Sequence, residues 1–291
     1  MAHFAIYKFF SWKSLVDELR AVLVWAPMKH LIFISASLVL IFSCATSPTG
    51  RRQFLLVSDS EMNSMGSQAF DEMKSKVPRE YNSAINSYVK CVANAITDVA
   101  VDHTGVASWE VVVFRDNSAN AFALPGGKIG VHTGMLKVAT SADQLAAVLG
   151  HEVGHVIARH GAERVSQAMA AQAGLMVTDL LLETNRNRGT IMAALGLGAQ
   201  FGVILPHGRK QESESDDIGQ QLMAMAGFDP RESVQLWRNM QKASGGGPPE
   251  WLSTHPSNSR RIGDLESNMP AAMQLYQQAQ AQGKQPRCIR P

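Results

Sequence analysis

The sequence predicts a mostly α, α+β fold, and three observations predict it. Apolar residues recur at helical spacing over much of the chain, as in Ile85, Tyr88, Val89, Val92 and Ile96. Beyond the N-terminal region, β-branched and aromatic runs typical of strands appear in one central stretch, residues 109–132, interrupted by a Pro125-Gly126-Gly127 turn. Helical segments lie before and after that stretch, and alternating helices with a small hairpin sheet argue for a single domain of this class.

The chain has 291 residues, is 45% hydrophobic and 18% charged, and so has the composition of a folded protein. A net charge of +2 and the lack of a basic cluster with interleaved aromatics exclude nucleic acid as an expected partner.

Residues 1–43 read as a signal region. Residues 31–42, LIFISASLVLIF, are apolar, preceded by Lys29 and His30 and closed by Ser43-Cys44. The run is short for a membrane span. Met28-Lys29 is a natural start, so translation is expected there, the alternative being a long charged region before the apolar run. A cysteine after Ile41-Phe42-Ser43 resembles a bacterial lipobox, although Phe42 is bulky for one. By that resemblance Cys44 is lipidated, and Ala45 in place of Asp favours the outer membrane, with the chain on its periplasmic face. Residues 44–57 are polar and read as the lipidated tether. Cys91 and Cys288 then remain in an oxidising compartment, where a disulfide between them is permitted; two buried thiols are the alternative.

The main domain is expected over residues 58–270. Residues 58–101 read as helical and residues 109–114 as a strand, followed by two runs around the Pro-Gly turn as a hairpin. Ser141 and Gln144 match a capping box ahead of a helix whose buried face includes Leu145, Val148, Leu149, Val156 and Ile157. Residues 166–183 are Ala-, Met- and Leu-rich and read as helix; residues 185–189 break the pattern. Residues 191–205 are apolar but hold Gln200 and glycines, and read as a buried helix near the site. A helix from about Arg209 through Ala226 ends at Gly227-Phe228-Asp229-Pro230. Residues 244–249 are a loop, and residues 271–291 a tail that frays from Gln274.

The capped helix carries His151-Glu152-Val153-Gly154-His155. Four residues turn about 400°, so both imidazoles leave one face and can hold one metal ion. Zinc suits neutral imidazoles combined with a carboxylate. Glu152 lies beside them, where a carboxylate serves as general base on the water such a metal activates. His160 points about 140° away from His155, toward the ligands' surroundings or the surface. A third ligand must come from downstream. Glu212 and Asp216 share a helical face, so Glu212 can bind the metal while Asp216 accepts a hydrogen bond from a ligand histidine. By spacing alone Glu214 is the rival. If Glu212 is the ligand, Glu214 faces about 200° away and should matter little.

Four segments now stand in order. They are Asn120-Ala121-Phe122 with Pro125-Gly126-Gly127, HEVGH with Ala158-Arg159-His160-Gly161, Glu212 with Asp216 and Gly219, and Thr254-His255-Pro256-Ser257 with Arg261-Ile262. Together they resemble the CAAX-prenyl-protease, HtpX and Oma1-type zinc metallopeptidases, which are gluzincins, and particularly their periplasmic lipoprotein branch. The resemblance implies a zincin-like domain, one zinc per chain, Glu212 as third ligand, and peptide-bond hydrolysis with Glu152 as base. It places His255 near the cleft, as an oxyanion stabiliser or a loop anchor. It departs at Ser215, where the family has Ala. A strand over Asn120, Ala121 and Phe122 would offer its edge to an extended peptide. The implied substrates are unfolded or misfolded envelope proteins, with a lipid anchor in the outer membrane and contact with its assembly machinery. A different class, a periplasmic chaperone or assembly factor with a latched or structural zinc, is the alternative, residues 166–206 then forming a binding surface or plug. A zinc esterase or amidase is a third.

Overall fold

The computed structural model describes residues 44–100, 106, 108–182, 186, 205–243, 255 and 260–291. The signal region, most of residues 185–205, the loop at 244–249, and Thr254, Pro256 and Ser257 lie outside them. The chain divides into the units Met1–Ala45 and Thr46–Pro291; the second is described here.

Its elements are two short strands, β1 (Cys44–Thr46) and β2 (Arg52–Phe54), the helices α1 (Asp59–Lys76) and α2 (Ser83–Val99), three strands, β3 (Glu110–Phe114), β4 (Ala121–Leu124) and β5 (Lys128–His132), a one-turn α3 (Met135–Val138), and then α4 (Ala142–Ile157), α5 (His160–Leu181), α6 (Leu205–Met225), α7 (Arg231–Ala243) and α8 (Arg261–Ala281). It is a mostly helical domain with a small sheet, as the sequence predicts. Among the described residues no helix is long and apolar enough to cross a membrane.

The stretch expected to be helical, residues 58–101, forms two helices. Pro78 lies between them and cannot continue the first. Each start carries its own cap: Ser58 and Glu61 form a full capping box, and Asn82 accepts from Ala84 and Ile85. The box expected at Ser141 is half formed. Ser141 accepts from the Gln144 N–H, but the Gln144 side chain turns back to the N–H of Thr140.

The sheet order is β3-β5-β4. β4 and β5 are the antiparallel hairpin, with Gly126 and Gly127 at φ 83° and 73°, and β3 runs parallel to β5. Phe122 faces Gly130 across the ladder, and a Cβ on Gly130 would lie 2.1 Å from the Phe122 ring. β4 is therefore an outer strand.

Helix α4 runs through the middle of the core. Every residue from Gln144 to Ile157 is buried. Leu145, Val148, Leu149 and Val153 pack with Val92 and Ile96 of α2, Val131 of β5, Met223 of α6, and Trp237 and Met240 of α7. Each such side chain stabilises by roughly 1.5–3 kcal/mol. That surplus is what allows polar side chains on the same helix. Beyond α6, Gly227 at φ 90° ends the helix where the sequence places its stop.

The Gln/Ala-rich segment from Gln274 does not fray. It is helical to Ala281, with Ala272 and Ala279 buried, and Cys288 beyond it is disulfide-bonded to Cys91 of α2. The polar stretch read as a tether is docked over residues 46–56. The Gln53 side chain donates to the Ala158 carbonyl, and the Leu56 N–H donates to Ser166. Its polar groups find partners on the domain, which composition cannot reveal.

Candidate metal centre

His151 and His155 lie one turn apart on α4, and α6 crosses directly above them. Two glycines permit the crossing: a Cβ on Gly150 would sit 2.7 Å from the Gly219 carbonyl, and a Cβ on Gly219 would sit 2.6 Å from the His151 nitrogen. Glu212 and Asp216 on α6 are thereby brought over the imidazoles. Ligating atoms of His151, His155, Glu212 and His255 all lie within 4.8 Å of one another, and all four residues are buried.

The spacings within this cluster fit a small ion. Ligands at ~2.0–2.1 Å in a tetrahedron lie ~3.3–3.4 Å from each other. Here His151 Nε2 is 3.0 Å from His155 Nε2, and each of these nitrogens is 3.3 Å from a Glu212 oxygen. His255 Nδ1 is 3.3 Å from His151 Nε2 and 3.1 Å from both Glu212 oxygens. Three imidazoles and one carboxylate converging this way are the donor set that zinc takes.

Their surroundings fix their orientation. His151 Nδ1 lies 2.9 Å from Asp216 Oδ1, so Nε2 is the nitrogen left for the metal. Arg261, 2% exposed, pairs with both Glu212 and Asp216 and stacks on the Trp237 ring at 3.6 Å. Arg261 stood in the sequence motif without a role; its place between the two carboxylates depends on α8 folding back, a contact no local pattern signals.

The charge states differ between the two helix ligands. Burial and the nearby Arg261 lower the pKa of His151, but Asp216 and Glu212 outweigh them and raise it to about 9. Burial holds His155 well below the usual histidine range despite Glu212. Burial also works to raise the Glu212 carboxyl, yet the imidazoles of His151, His155 and His255 outweigh it and keep it ionised far into acid. Glu152, 3% exposed, has Oε1 3.5 Å from His255 Nε2.

His160 is fully buried, with Nδ1 2.8 Å from His155 Nδ1. It thus belongs to the surroundings of a ligand and not to the surface. Glu214 is the correction. It does face away from the metal cluster, but it is 6% exposed, 3.0 Å from His160 Nε2, and paired with Arg51. A buried carboxylate so engaged is not a bystander. Glu214 lies on a helix rich in core positions, whereas His160 opens a helix that is mostly exposed beyond Ser166.

At the strand expected to meet a peptide, Ala121 of β4 is buried and Phe122 packs among Phe70, Phe114 and His132. The Asn120 carbonyl accepts from the His132 N–H. These side chains serve the sheet; what β4 offers outward is its backbone edge. A cavity of about 100 Å³ borders the end of that strand and is lined by Ala123, Leu124, Met62, His155, Val156 and Arg159 among others. Of the clustered residues, His155 borders it.

The sequence profile of peptidase family M48 matches residues 83–269, which hold His151, His155, Glu212 and His255. The chain is 35% identical to the mitochondrial metalloendopeptidase OMA1 of Schizosaccharomyces pombe over 231 residues, 77% of this chain and 66% of that protein. It is 29% identical to the beta-barrel assembly-enhancing protease of Yersinia pestis over 72% of this chain and 44% of that one. It is 25% identical to the metalloprotease LoiP of Escherichia coli over 74% and 83%. The chain spans between 36% and 66% of the length of the OMA1 proteins from fission yeast, budding yeast and Arabidopsis thaliana. With a profile match covering well over half of its residues, the chain belongs to peptidase family M48.

Proposed function

We propose that this chain is a zinc-dependent endopeptidase. The observation that carries the reading is the convergence of His151, His155 and Glu212 at tetrahedral spacing, with Glu152 on the next residue of the same helix. A zinc ion held there would supply Lewis acidity to a water and to a scissile carbonyl. Glu152 is the base that would take a proton from the attacking water as its oxygen adds to the carbonyl carbon, and would return it to the amine as the C–N bond breaks. Asp216 holds His151 in the tautomer that presents Nε2. An extended peptide adds to the outer edge of β4, which pairs with β5 alone among the described strands, and one of its side chains enters the cavity beside His155. Purified protein should contain about one zinc and cleave an unfolded protein such as casein, and Glu152→Gln should keep the zinc and stop the cleavage. Cleavage undiminished in Glu152→Gln would refute the reading.

A second reading, a chaperone or assembly factor with a latched site, is favoured by one observation. His255 fills the fourth corner of the ligand set, where the reacting water has to sit. In this reading His255 closes the site in the conformation described, and cleavage requires its withdrawal.

We further propose that the chain works in a bacterial cell envelope, anchored by lipid at Cys44 in the outer membrane and facing the periplasm, on misfolded envelope proteins. This rests on the apolar leader and the lipobox-like Ser43-Cys44, together with the name of the Yersinia relative, which refers to β-barrel assembly. The OMA1 relatives are mitochondrial by name, and the envelope reading rests on the leader. Membrane fractionation of Cys44→Ala against the unaltered chain tests it; an unmodified Cys44 in membrane-associated protein would overturn it.

A further inference from the structure

His151 receives its carboxylate directly, from Asp216. His155 does not: its Nδ1 meets another imidazole, His160, at 2.8 Å, and the far nitrogen of that ring, Nε2, lies 3.0 Å from Glu214 Oε2. The proton inventory of this chain has one consistent solution when His155 Nε2 ligates a metal. His155 Nδ1–H donates to His160 Nδ1, and His160 Nε2–H donates to the Glu214 carboxylate. The carboxylate–histidine–metal arrangement is thus extended by one ring.

Glu214 is itself fixed from outside α6. The Thr49 hydroxyl donates to its Oε1, and Arg51 Nε donates to its Oε2 at 2.7 Å. The other end of the Arg51 guanidinium makes a bidentate pair with Glu163 of α5, at 2.8 Å on each oxygen, and Gln211 donates to the same carboxylate. Ser47 accepts from the Arg51 N–H and closes the turn that carries both donors. His160, Glu163, Gln211 and Glu214 are each no more than 6% exposed. Buried polar groups of this kind are costly unless fully partnered, and the partners of Glu214 include Thr49 and Arg51, which precede the stretch matched to the family.

We propose that Glu214 is a positioning residue for His155, acting through His160, and that residues 47–51 belong to the metal-binding unit. This deepens the zinc reading above and rests on it. Without Glu214, the proton on His160 Nε2 loses its acceptor, His160 is free to take the other tautomer, and His155 Nδ1–H loses the lone pair it donates to. Thr49 and Arg51 are then a clamp through which the segment following Cys44 reaches a ligand of the metal.

Two variants cut the chain without leaving a lone charge. Glu214→Gln leaves Arg51 balanced by Glu163. His160→Phe keeps the whole Arg51 ion cluster and removes the link, together with the contact of the Ser215 hydroxyl with His160 Nδ1 at 3.3 Å. Zinc affinity by chelator competition, the cobalt(II) absorption spectrum and the denaturation midpoint of the metal-free protein are measured on both, with His155→Ala and the core truncation Val92→Ala as comparators. Both variants should bind zinc about 10–100-fold more weakly. They should also alter the cobalt spectrum, whereas Val92→Ala loses stability and keeps affinity and spectrum. Zinc affinity within about threefold of the unaltered protein in Glu214→Gln and His160→Phe, while His155→Ala loses zinc, overturns the proposal. Unaltered affinity in His155→Ala would instead overturn the zinc reading.

Discussion

Gly150 of α4 and Gly219 of α6 meet backbone to backbone, and neither position has room for a Cβ. A methyl on Gly219 would strike the amide of His151, and a methyl on Gly150 would strike the Gly219 carbonyl. The contact sits one residue from one metal ligand and within two turns of another, so it sets the height at which Glu212 and Asp216 stand over the imidazoles.

Gly219→Ala should therefore cost about 1–3 kcal/mol in stability, the usual range for overpacking. It should also weaken zinc binding, because the two helices must part by the width of a methyl. Urea midpoints and zinc affinity on the same preparation check this. A stability loss with full zinc affinity would mean that α6 yields elsewhere along its length.

Much of this geometry was legible beforehand, and the reason is periodicity. A histidine pair at i and i+4, and a Glu-Asp pair at i and i+4, each read as one face of a helix, and both faces turn out to look at the same point. Gly227 stopped α6 where expected because a residue at φ 90° ends a helix whatever surrounds it. What could not be read was anything carried by one helix meeting a distant segment. Arg51 looked like part of a polar leader, and its partners Glu163 and Glu214 lie 112 and 163 residues away. Arg261 looked like a motif letter until α8 laid it on Trp237. The parallel pairing of β3 with β5 was equally invisible, since alternation says which residues form strands and not which strands become neighbours.

Glu152 and Glu212 should fail differently. Glu152→Gln keeps shape and removes the basic oxygen, so zinc content stays near one per chain while cleavage falls by roughly 10²–10⁴-fold. Glu212→Gln replaces an anionic ligand by a neutral one and removes one of the carboxylates that Arg261 pairs with. Zinc affinity and rate should both drop. Zinc content and peptide cleavage measured together distinguish the two; zinc loss in Glu152→Gln would exchange their roles.

His255→Ala separates the latch from the oxyanion stabiliser. As a latch, His255 takes the fourth corner, and its removal should raise basal cleavage several-fold while modestly lowering zinc affinity. As a stabiliser of the reacting carbonyl oxygen, its removal should lower the rate by roughly 10²-fold with zinc retained. The geometry, with His255 Nδ1 at 3.3 Å from His151 Nε2, favours the rise. A fall in kcat at constant zinc content would sink the latch.

Metal uptake should release a proton, and the source is His151. In the metal-free protein Asp216 and Glu212 hold this ring protonated up to about 9, whereas His155 is already neutral and Glu212 already ionised at pH 7. A metal takes neutral imidazole, so binding at pH 7 displaces about one proton. Apparent zinc affinity should rise about tenfold per pH unit up to about pH 9 and then level off. The stability of the metal-free protein should run the other way. A group whose folded pKa is raised stabilises fully below its unfolded value, near 6.5, and that contribution disappears as pH rises through about 9. The gap in melting temperature between zinc-loaded and metal-free protein should therefore widen from pH 6.5 to 9. Calorimetric titration in two buffers of different ionisation enthalpy counts the proton directly. A count of zero at pH 7, with zinc bound, would show that His151 is neutral before the metal arrives and that Asp216 orients it without charging it.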